Sequence, residues 1–445
     1  MDKQSTLDWL YSLHRFGIKP GLERIKQLAE FFGHPERKFQ SIHITGTNGK
    51  GSTASNIASI LIESGYKSGL YTSPHVLEFN ERIQVQTKMI EDDVLIDYAQ
   101  ILKPIQEKIG ATFFELTTAI AFRYFADMNI DIAIIEAGMG GMNDATNIIS
   151  PILSIITPIS LEHTQYLGNT IEQIAFDKSK IIKPTSKCLI SDKNKNLLNI
   201  FFKQARPVSS DLFFTNDLLW LKNFEINPDL SSKFNVIDYK HNNKTYITPL
   251  IGQFQIENAM MAIAATYLLD EDFKINDNTI QKGLRNVIPN THFSSRLEKI
   301  QADPLIILDA GHNPGAIKEI ANTLSYISNS MNVQIDKMDN KDKKFVFLMA
   351  LMNDKDAASI FSIISPYIKY LILTKPNTQR ATEPELLKQI ATNYISEQSI
   401  EILPDVSIAL RRLIELNQTS VILGSFYLAE EIKKEMPMYN LKPWV

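Results

Sequence analysis

The run Ile42-His43-Ile44-Thr45-Gly46-Thr47-Asn48-Gly49-Lys50-Gly51-Ser52 constrains this chain more than any other segment. Residues 41–45 are a short apolar stretch with the length and β-branched content of a buried strand. Glycines then break the strand, and 52–64 reads as a helix stopped by Gly65. A strand that turns through glycines directly into a helix opens a βαβ unit, which leads to a parallel sheet covered by helices. The rhythm continues, with strands expected at 69–72, 130–136 and 152–157.

The same turn carries chemistry. Glycines let the backbone curl so that successive N–H groups point at phosphate oxygens. The following helix adds the partial positive charge of its N-terminus. Lys50 has the reach for β- and γ-phosphates, and the Ser52 hydroxyl can meet a metal or a phosphate. Thr47, Asn48, Gly49, Lys50, Gly51 and Ser52 are therefore the expected nucleotide contacts. The pattern is not a strict Walker A, because Ile44 and Gly51 stand where a glycine and a hydroxyl belong. The plain alternative is a glycine turn with no ligand; the order strand, turn, lysine, hydroxyl, helix argues against it.

Residues 193–244 interrupt the rhythm. They are rich in Asn, Lys and Phe and read as short antiparallel strands and loops at an edge. Residues 250–269 return to a helical pattern, with Asn258, Ala259, Ala262 and Ala265 allowing close packing. The stretch 289–295 breaks again and reads as a linker, which places a boundary near 293. Strands at 305–308, 345–349, 371–373 and 421–423 form a second α/β unit. The expected fold is α/β: a P-loop-type N-terminal domain, 1–293, with a mostly parallel sheet, and a smaller Rossmann-like C-terminal domain, 294–445.

Composition excludes several classes of function. A chain of 445 residues has room for two or three domains. Its net charge of -4, from 46 basic and 50 acidic side chains, does not suit a nucleic-acid-binding surface. No segment approaches the ~20 apolar residues of a membrane span. The polar start, Met1 to Ser5, lacks a secretory signal pattern. The single cysteine, Cys188, permits no intramolecular disulfide and reads as a buried apolar residue. A cytoplasmic protein is expected.

Read in order, the motifs resemble the folylpolyglutamate synthase and dihydrofolate synthase family of the Mur ligases. The phosphate loop matches that family's variant. Tyr71-Thr72-Ser73-Pro74-His75 with Phe79-Asn80-Glu81-Arg82-Ile83 resembles its substrate-side Ω loop. Phe113-Phe114-Glu115 with Thr117-Thr118-Ala119 resembles its next helix start. Glu136-Ala137-Gly138-Met139-Gly140-Gly141 with Asp144-Ala145-Thr146-Asn147 resembles its acidic metal loop. Asp309, His312, Asn313 and Pro314, then Asp354-Lys355-Asp356 and Gly424-Ser425-Phe426-Tyr427-Leu428, match its C-terminal motifs.

The resemblance implies an ATP-dependent ligase that activates a carboxylate as an acyl phosphate and adds glutamate to dihydropteroate, to a folate, or to both. It implies Mg2+, with two ions expected and Ser73, Glu136 and His163 as ligands. It makes Lys178 a carboxylated lysine, although the residues alone would make it a solvated helix position. Asn258, Arg296 and Asp309 become ATP contacts, and His312 helps to position the acyl phosphate. The residues support some of these roles independently. Glu136 ends an apolar strand, where open α/β sheets bind ligands. An arginine such as Arg296 suits a triphosphate. Plain alternatives are a turn hydroxyl for Ser73, a loop histidine for His163, a solvated charge for Arg296 and a helix cap for Asp309. Phosphates on one domain and Arg296, Asp309 and His312 on the other lead to the expectation of a closing cleft that excludes water.

The chain departs from the family pattern at Met142-Asn143, where Arg-Leu is usual, and at Glu162, where Asp is usual. Phe254 replaces a usual His, and Ser294-Ser295 a usual Pro-Gly. Met142 and Asn143 lie near the expected pterin side and bear on which folate form is taken. Two other functions compete: a Mur-type ligase acting on a cell-wall UDP-muramyl precursor, and a non-catalytic nucleotide-binding relative. The Ω loop and Gly51 favour the folate ligase over the first, and the retained Lys50, Glu136, His163, Lys178 and Asp309 argue against the second. Expected partners are ATP, glutamate and dihydropteroate or folate, with no nucleic acid, no membrane and a monomeric state.

Overall fold

The computed structural model describes residues 2–13, 17, 19–269, 273–330 and 345–442; Met1, part of the polar start, lies outside them. The chain forms two compact units. One comprises Met1–Lys222, Asn235–Tyr246 and Glu257–His292, and the other Asn223–Phe234, Ile247–Ile256 and Phe293–Val445.

The first unit is built on β1 (Gln40–Thr45), β2 (Ser68–Tyr71), β3 (Ile83–Val85), β4 (Lys88–Met89), β5 (Ile132–Glu136), β6 (Leu153–Ile156), β7 (Lys187–Ile190) and β8 (Asp211–Phe214). They lie in the order β4-β3-β2-β5-β1-β6-β7-β8. From β2 to β8 neighbouring strands are parallel, while β3 and β4 add an antiparallel edge. Every residue of β5 and β6, and all but the first of β1, is buried. Such strands are covered on both faces, which is why they read as apolar runs without alternation. From β1 the chain passes to one side for β2 and β5 and to the other for β6 to β8. The loops therefore diverge at the carboxyl end of β1, the place where open α/β sheets leave a crevice.

The helix Lys50–Glu63 is buried continuously from Ser52 to Leu61. Its Ser, Thr and Ala positions allow neighbours to come close. Helix Asp277–Arg285 packs on it through Gly283, where an added Cβ would lie 2.4 Å from the Ile60 Cα. The Ser59 hydroxyl donates to the Gly283 carbonyl at 2.6 Å.

Two local expectations change. Residues 289–291 are not open linker but belong to the short helix Val287–Thr291, and Asn290 donates to Ser59 Oγ and Glu63 Oε1, each at 3.0 Å. Proline is compatible with this helix because it sits in the first turn, where its missing N–H is not needed. Within 193–244, Leu198–Ala205 is a helix, with Phe201 and Ala205 buried four residues apart, and β8 joins the main sheet in parallel. Only afterwards do β9 (Leu219–Ile226), β10 (Ser232–Asp238) and β11 (Asn243–Thr248) form a separate small sheet, in the order β11-β10-β9.

The second unit contains β12 (Glu298–Ala302), β13 (Leu305–Asp309), β14 (Phe345–Met349), β15 (Ile368–Leu373), β16 (Ile400–Ile402) and β17 (Ser420–Leu423). Their order is β12-β13-β17-β14-β15-β16, parallel except for β12. β12 was not expected, because one of its inward positions is Glu298, whose charge meets buried Lys433 at 2.8 Å. The α/β expectation with a mostly parallel sheet is met. Among the described residues, no helix is long and apolar enough to cross a membrane.

The Gly283 contact gives a stability test. Gly283→Ala should lower stability by about 1–3 kcal/mol, because a helix backbone cannot give way as a side chain can. A fall in the urea midpoint at unchanged m-value is the expected result; an unaltered midpoint would show that the two helices can separate at no cost.

Candidate nucleotide and acyl-transfer site

The phosphate turn is held by contacts that a side chain at Gly46 would destroy. Gly46 has φ +148, and an added Cβ would lie 1.8 Å from Thr157 Oγ1. The Thr47 N–H donates to the Pro158 carbonyl at 2.9 Å, and Thr47 Oγ1 donates to the Ser160 carbonyl at 3.0 Å. The turn is thus fastened to the loop after β6. Gly49, at φ +87, precedes the helix Lys50–Glu63 and supplies no side-chain cap. The first helical N–H groups are left to whatever lies beyond the turn, which is the electrostatics of an anion site. Asn258, on helix Gln253–Leu268, is buried against this turn; a Cβ on Gly49 would come within 2.4 Å of its Oδ1.

Glu136 ends β5 beside this turn and is 3 % exposed. Its Oε2 accepts the Ser73 N–H at 3.1 Å, and its Oε1 lies 3.9 Å from the Lys50 ammonium. Lys50 also donates to the Thr47 carbonyl at 3.2 Å. The structure therefore brings together Lys50, Ser73 and Glu136 from the ends of β1, β2 and β5. Gly51 faces the same carboxylate, with room for a Cβ 3.5 Å from Oε2. Ser52 is buried at the helix start. His163 sits at φ +50 on the loop after β6, and its half-exposed ring is 3.9 Å from Glu162 Oε1. Among the described residues, no three His, Cys, Asp or Glu side chains form a metal-binding group.

Lys178 is not a solvated helix residue. It is 3 % exposed on helix Ile171–Ser179, and its Nζ donates to the Gly46 carbonyl at 2.6 Å. Burial, with the nearby Lys50 charge, lowers its pKa to about 7, against the pull of Glu162, Asp177 and Asp144. The helix period explains this: Ile174, Ala175 and Lys178 share the inward face.

Two acidic residues have structural work that the sequence did not reveal. Asp177 Oδ1 accepts the Gly141 N–H at 2.7 Å, and a Cβ on Gly140 would lie 2.3 Å from that oxygen. Asp144 accepts the N–H groups of Met139 and Thr146 at 2.8 and 3.0 Å. Burial raises its pKa, although those hydrogen bonds oppose the shift. Together they shape the glycine loop after β5. A short acidic residue beside a Gly-Gly pair was the available signal.

Within the second unit, Asp309 ends β13. Its Oδ2 accepts the Leu297 N–H at 2.7 Å and its Oδ1 accepts the Gly311 N–H at 2.5 Å. Burial raises its pKa; Arg296 and these amides pull the other way. Arg296 lies 4.6 Å from the centre of the Phe426 ring, a cation–π distance. His312 is 6.0 Å from the same ring, and its Nδ1 lies 2.9 Å from the Ala310 carbonyl. A carbonyl accepts only, so Nδ1 carries the proton and Nε2 is the acceptor nitrogen of the neutral ring.

Known proteins share this plan. Residues 44–266 match the Mur ligase middle domain, and residues 295–426 match the Mur ligase glutamate ligase domain. A dihydrofolate synthase/folylpolyglutamate synthase of Bacillus subtilis (strain 168) is 31% identical over 445 residues, spanning 97% of this chain and 99% of that protein. A folylpolyglutamate synthase of Lacticaseibacillus casei is 28% identical over 456 residues, spanning 98% and 99%. A Mycobacterium tuberculosis folylpolyglutamate synthase, solved with ADP and AMPPCP, superposes with a TM-score of 0.85 at 25% identity, covering 100% of each chain. A folylpolyglutamate synthase complex with AMPPCP and folate gives a TM-score of 0.80 at 28% identity, covering 98% of this chain and 100% of that one.

The Lys178 environment has a measurable consequence in metal-free protein in CO2-free buffer. Its folded pKa lies below the unfolded value of 10.5. From about pH 7 to 10.5 the unfolded chain therefore holds the extra proton, and stability should rise with pH. The slope from one such group reaches about 1.4 kcal/mol per pH unit. Lys178→Met should lose this rise in urea midpoints taken at successive pH values. Parallel curves for the two proteins would contradict a buried, readily neutralised lysine.

Proposed function

Because the chain belongs to the folylpolyglutamate synthase/dihydrofolate synthase family of the Mur ligases, we propose that it is an ATP-dependent ligase joining L-glutamate to dihydropteroate, to a tetrahydrofolate, or to both. The observation that carries this reading is the meeting of Lys50, Ser73 and Glu136 at a turn whose helix start has no side-chain cap.

In the reaction, a carboxylate oxygen of the acceptor attacks the γ-phosphorus of ATP. The bond from that phosphorus to the bridging oxygen breaks, and ADP leaves. The amine nitrogen of glutamate then attacks the acyl carbon, phosphate departs with its oxygen, and the amine gives up a proton. Phosphoryl transfer is chiefly a matter of positioning and charge. The N–H groups of residues 49–52 cradle the phosphates, and the Lys50 ammonium offsets charge on the terminal one. Asn258 keeps the turn in shape while contacting the nucleotide. Arg296 offsets phosphate charge, Asp309 holds the backbone that carries Arg296 and His312, and His312 positions the acyl phosphate.

The donor set fits Mg2+. Glu136 and Ser73 offer hard oxygen atoms, and one carboxylate suffices for an ion that keeps several waters. His163 is the weaker candidate, as imidazole is a less suitable partner for this ion. When bound, Mg2+ neutralises phosphate charge. Lys178, with a pKa near 7, is partly neutral at physiological pH. Its nitrogen can then add to CO2, lose a proton and become a carbamate anion, fit to hold a second ion.

The test is ADP release with ATP, magnesium and glutamate, supplying dihydropteroate, tetrahydrofolate or a UDP-muramyl precursor. Release that requires a folate-type acceptor is expected. Release only with the muramyl nucleotide, or none with any acceptor, would reject the proposal. Lys50→Ala should reduce folate-dependent release by about 100-fold or more while the melting curve stays cooperative. Undiminished turnover in that variant would remove Lys50 from the phosphate site.

A further inference from the structure

Arg82 is a buried cation that forms no ion pair among the described residues, although Glu136 and Glu81 act on its charge from a distance. It ends the turn Phe79–Arg82 that leads into β3 and is 7 % exposed. Its carbonyl accepts the Thr72 N–H at 3.1 Å, next to Ser73, whose N–H goes to Glu136. The guanidinium carbon lies 5.3 Å from the centre of the Phe113 ring and 6.0 Å from that of Phe79. Its polar contact among the described residues is Nε to His75 Nδ1, at 2.7 Å, and His75 Nε2 is in turn 3.4 Å from the Tyr11 hydroxyl. The adjacent carboxylate, Glu81, is committed elsewhere: it accepts the N–H groups of Val76, Leu77 and Glu78 at 2.7, 2.8 and 2.8 Å.

A guanidinium has five N–H donors and stays charged even when buried. Taking it out of water without an anion is costly, and aromatic faces offset only part of that cost. The histidine lone pair orients the group but brings no charge. An anion in this place would restore the balance. The guanidinium fork matches the two oxygens of a carboxylate. The rings of Tyr11 and Phe113, stacked at 5.8 Å, and of Phe79 beside them, suit an aryl group attached to that carboxylate. Phosphates have their own place at the turn after β1.

We propose that Arg82 receives the carboxylate of an aryl-carboxylate acceptor and positions it beside Ser73 and Glu136. His75, braced by Tyr11, fixes the guanidinium through Nε and directs its terminal N–H groups to the acceptor. This assignment rests on the ligase reading above and adds the group that selects the acceptor.

The test compares equilibrium binding of dihydropteroate with that of its carboxamide analogue, in wild type, Arg82→Gln and Arg82→Lys. Wild type should prefer the carboxylate by about 10- to 100-fold, as charge-assisted hydrogen bonds do. Arg82→Gln should bind the two compounds within about twofold of each other, and Arg82→Lys should fall between. In turnover, KM for the acceptor should rise in Arg82→Gln while KM for ATP holds. If Arg82→Gln does not fold, His75→Ala serves: freeing the guanidinium should weaken the carboxylate and leave the carboxamide unchanged. A wild-type preference retained in the variants, or equal loss for both compounds, would overturn the proposal. Absence of ADP release by wild type would instead count against the ligase reading, since binding selectivity is measured without turnover.

Discussion

The close packing of the Thr157 and Lys178 side chains on the Gly46 backbone is the constraint on which this site depends. Thr157 occupies the space of a side chain at that position, and the Lys178 ammonium donates to the Gly46 carbonyl. The phosphate turn is thereby fixed to the end of β6 and to helix Ile171–Ser179 before any ligand arrives. That rigidity matters, because electrostatic catalysis requires dipoles already pointing where charge will develop. A flexible glycine loop would give back in reorganisation what its N–H groups gain.

Charge is the second organising element. Lys50, Lys178 and Arg82 are largely withdrawn from water, and the Glu136 carboxylate lies 3.9 Å from the Lys50 ammonium. Asp144 is occupied with N–H groups of the glycine loop and is itself pushed toward neutrality by burial. An arrangement of this kind favours polyanions. It also explains why the Lys178 amine is readily neutralised: a second ammonium next to Lys50 in a dry site is unfavourable.

Much of this was legible in the sequence, and the reasons are physical. β1, β5 and β6 are buried on both faces, so their apolar runs are unmistakable, and the glycine turn that follows β1 has few other uses. The parts that escaped detection are those in which polar residues carry structural duties. β12 hides an inward Glu298 neutralised by Lys433, more than 100 residues away. The helix Leu198–Ala205 offers only one short apolar face within a polar segment. Lys178 could not be read as buried, because what accepts its hydrogen bond is a backbone carbonyl 132 residues earlier in the chain. Side-chain composition carries no record of such a partner.

The departures from the family pattern show where backbone rather than side chain matters. The N–H of Met142 is 3.4 Å from Asp177 Oδ1, and its carbonyl accepts from Asn147 Nδ2 at 3.2 Å. Both contacts survive any change of the side chain, and Asn143 is exposed. Ser295 is the instructive contrast. It stands at φ +55, where the family's usual glycine would be at ease, and it is fully buried. Its N–H donates to Glu298 Oε2 at 2.7 Å and its carbonyl accepts the Ala310 N–H at 3.0 Å, while its hydroxyl finds no partner among the described residues. A left-handed serine costs about 1–2 kcal/mol relative to glycine. The backbone bonds on either side outweigh that cost, because they hold Arg296 just ahead of β12, beside the end of β13.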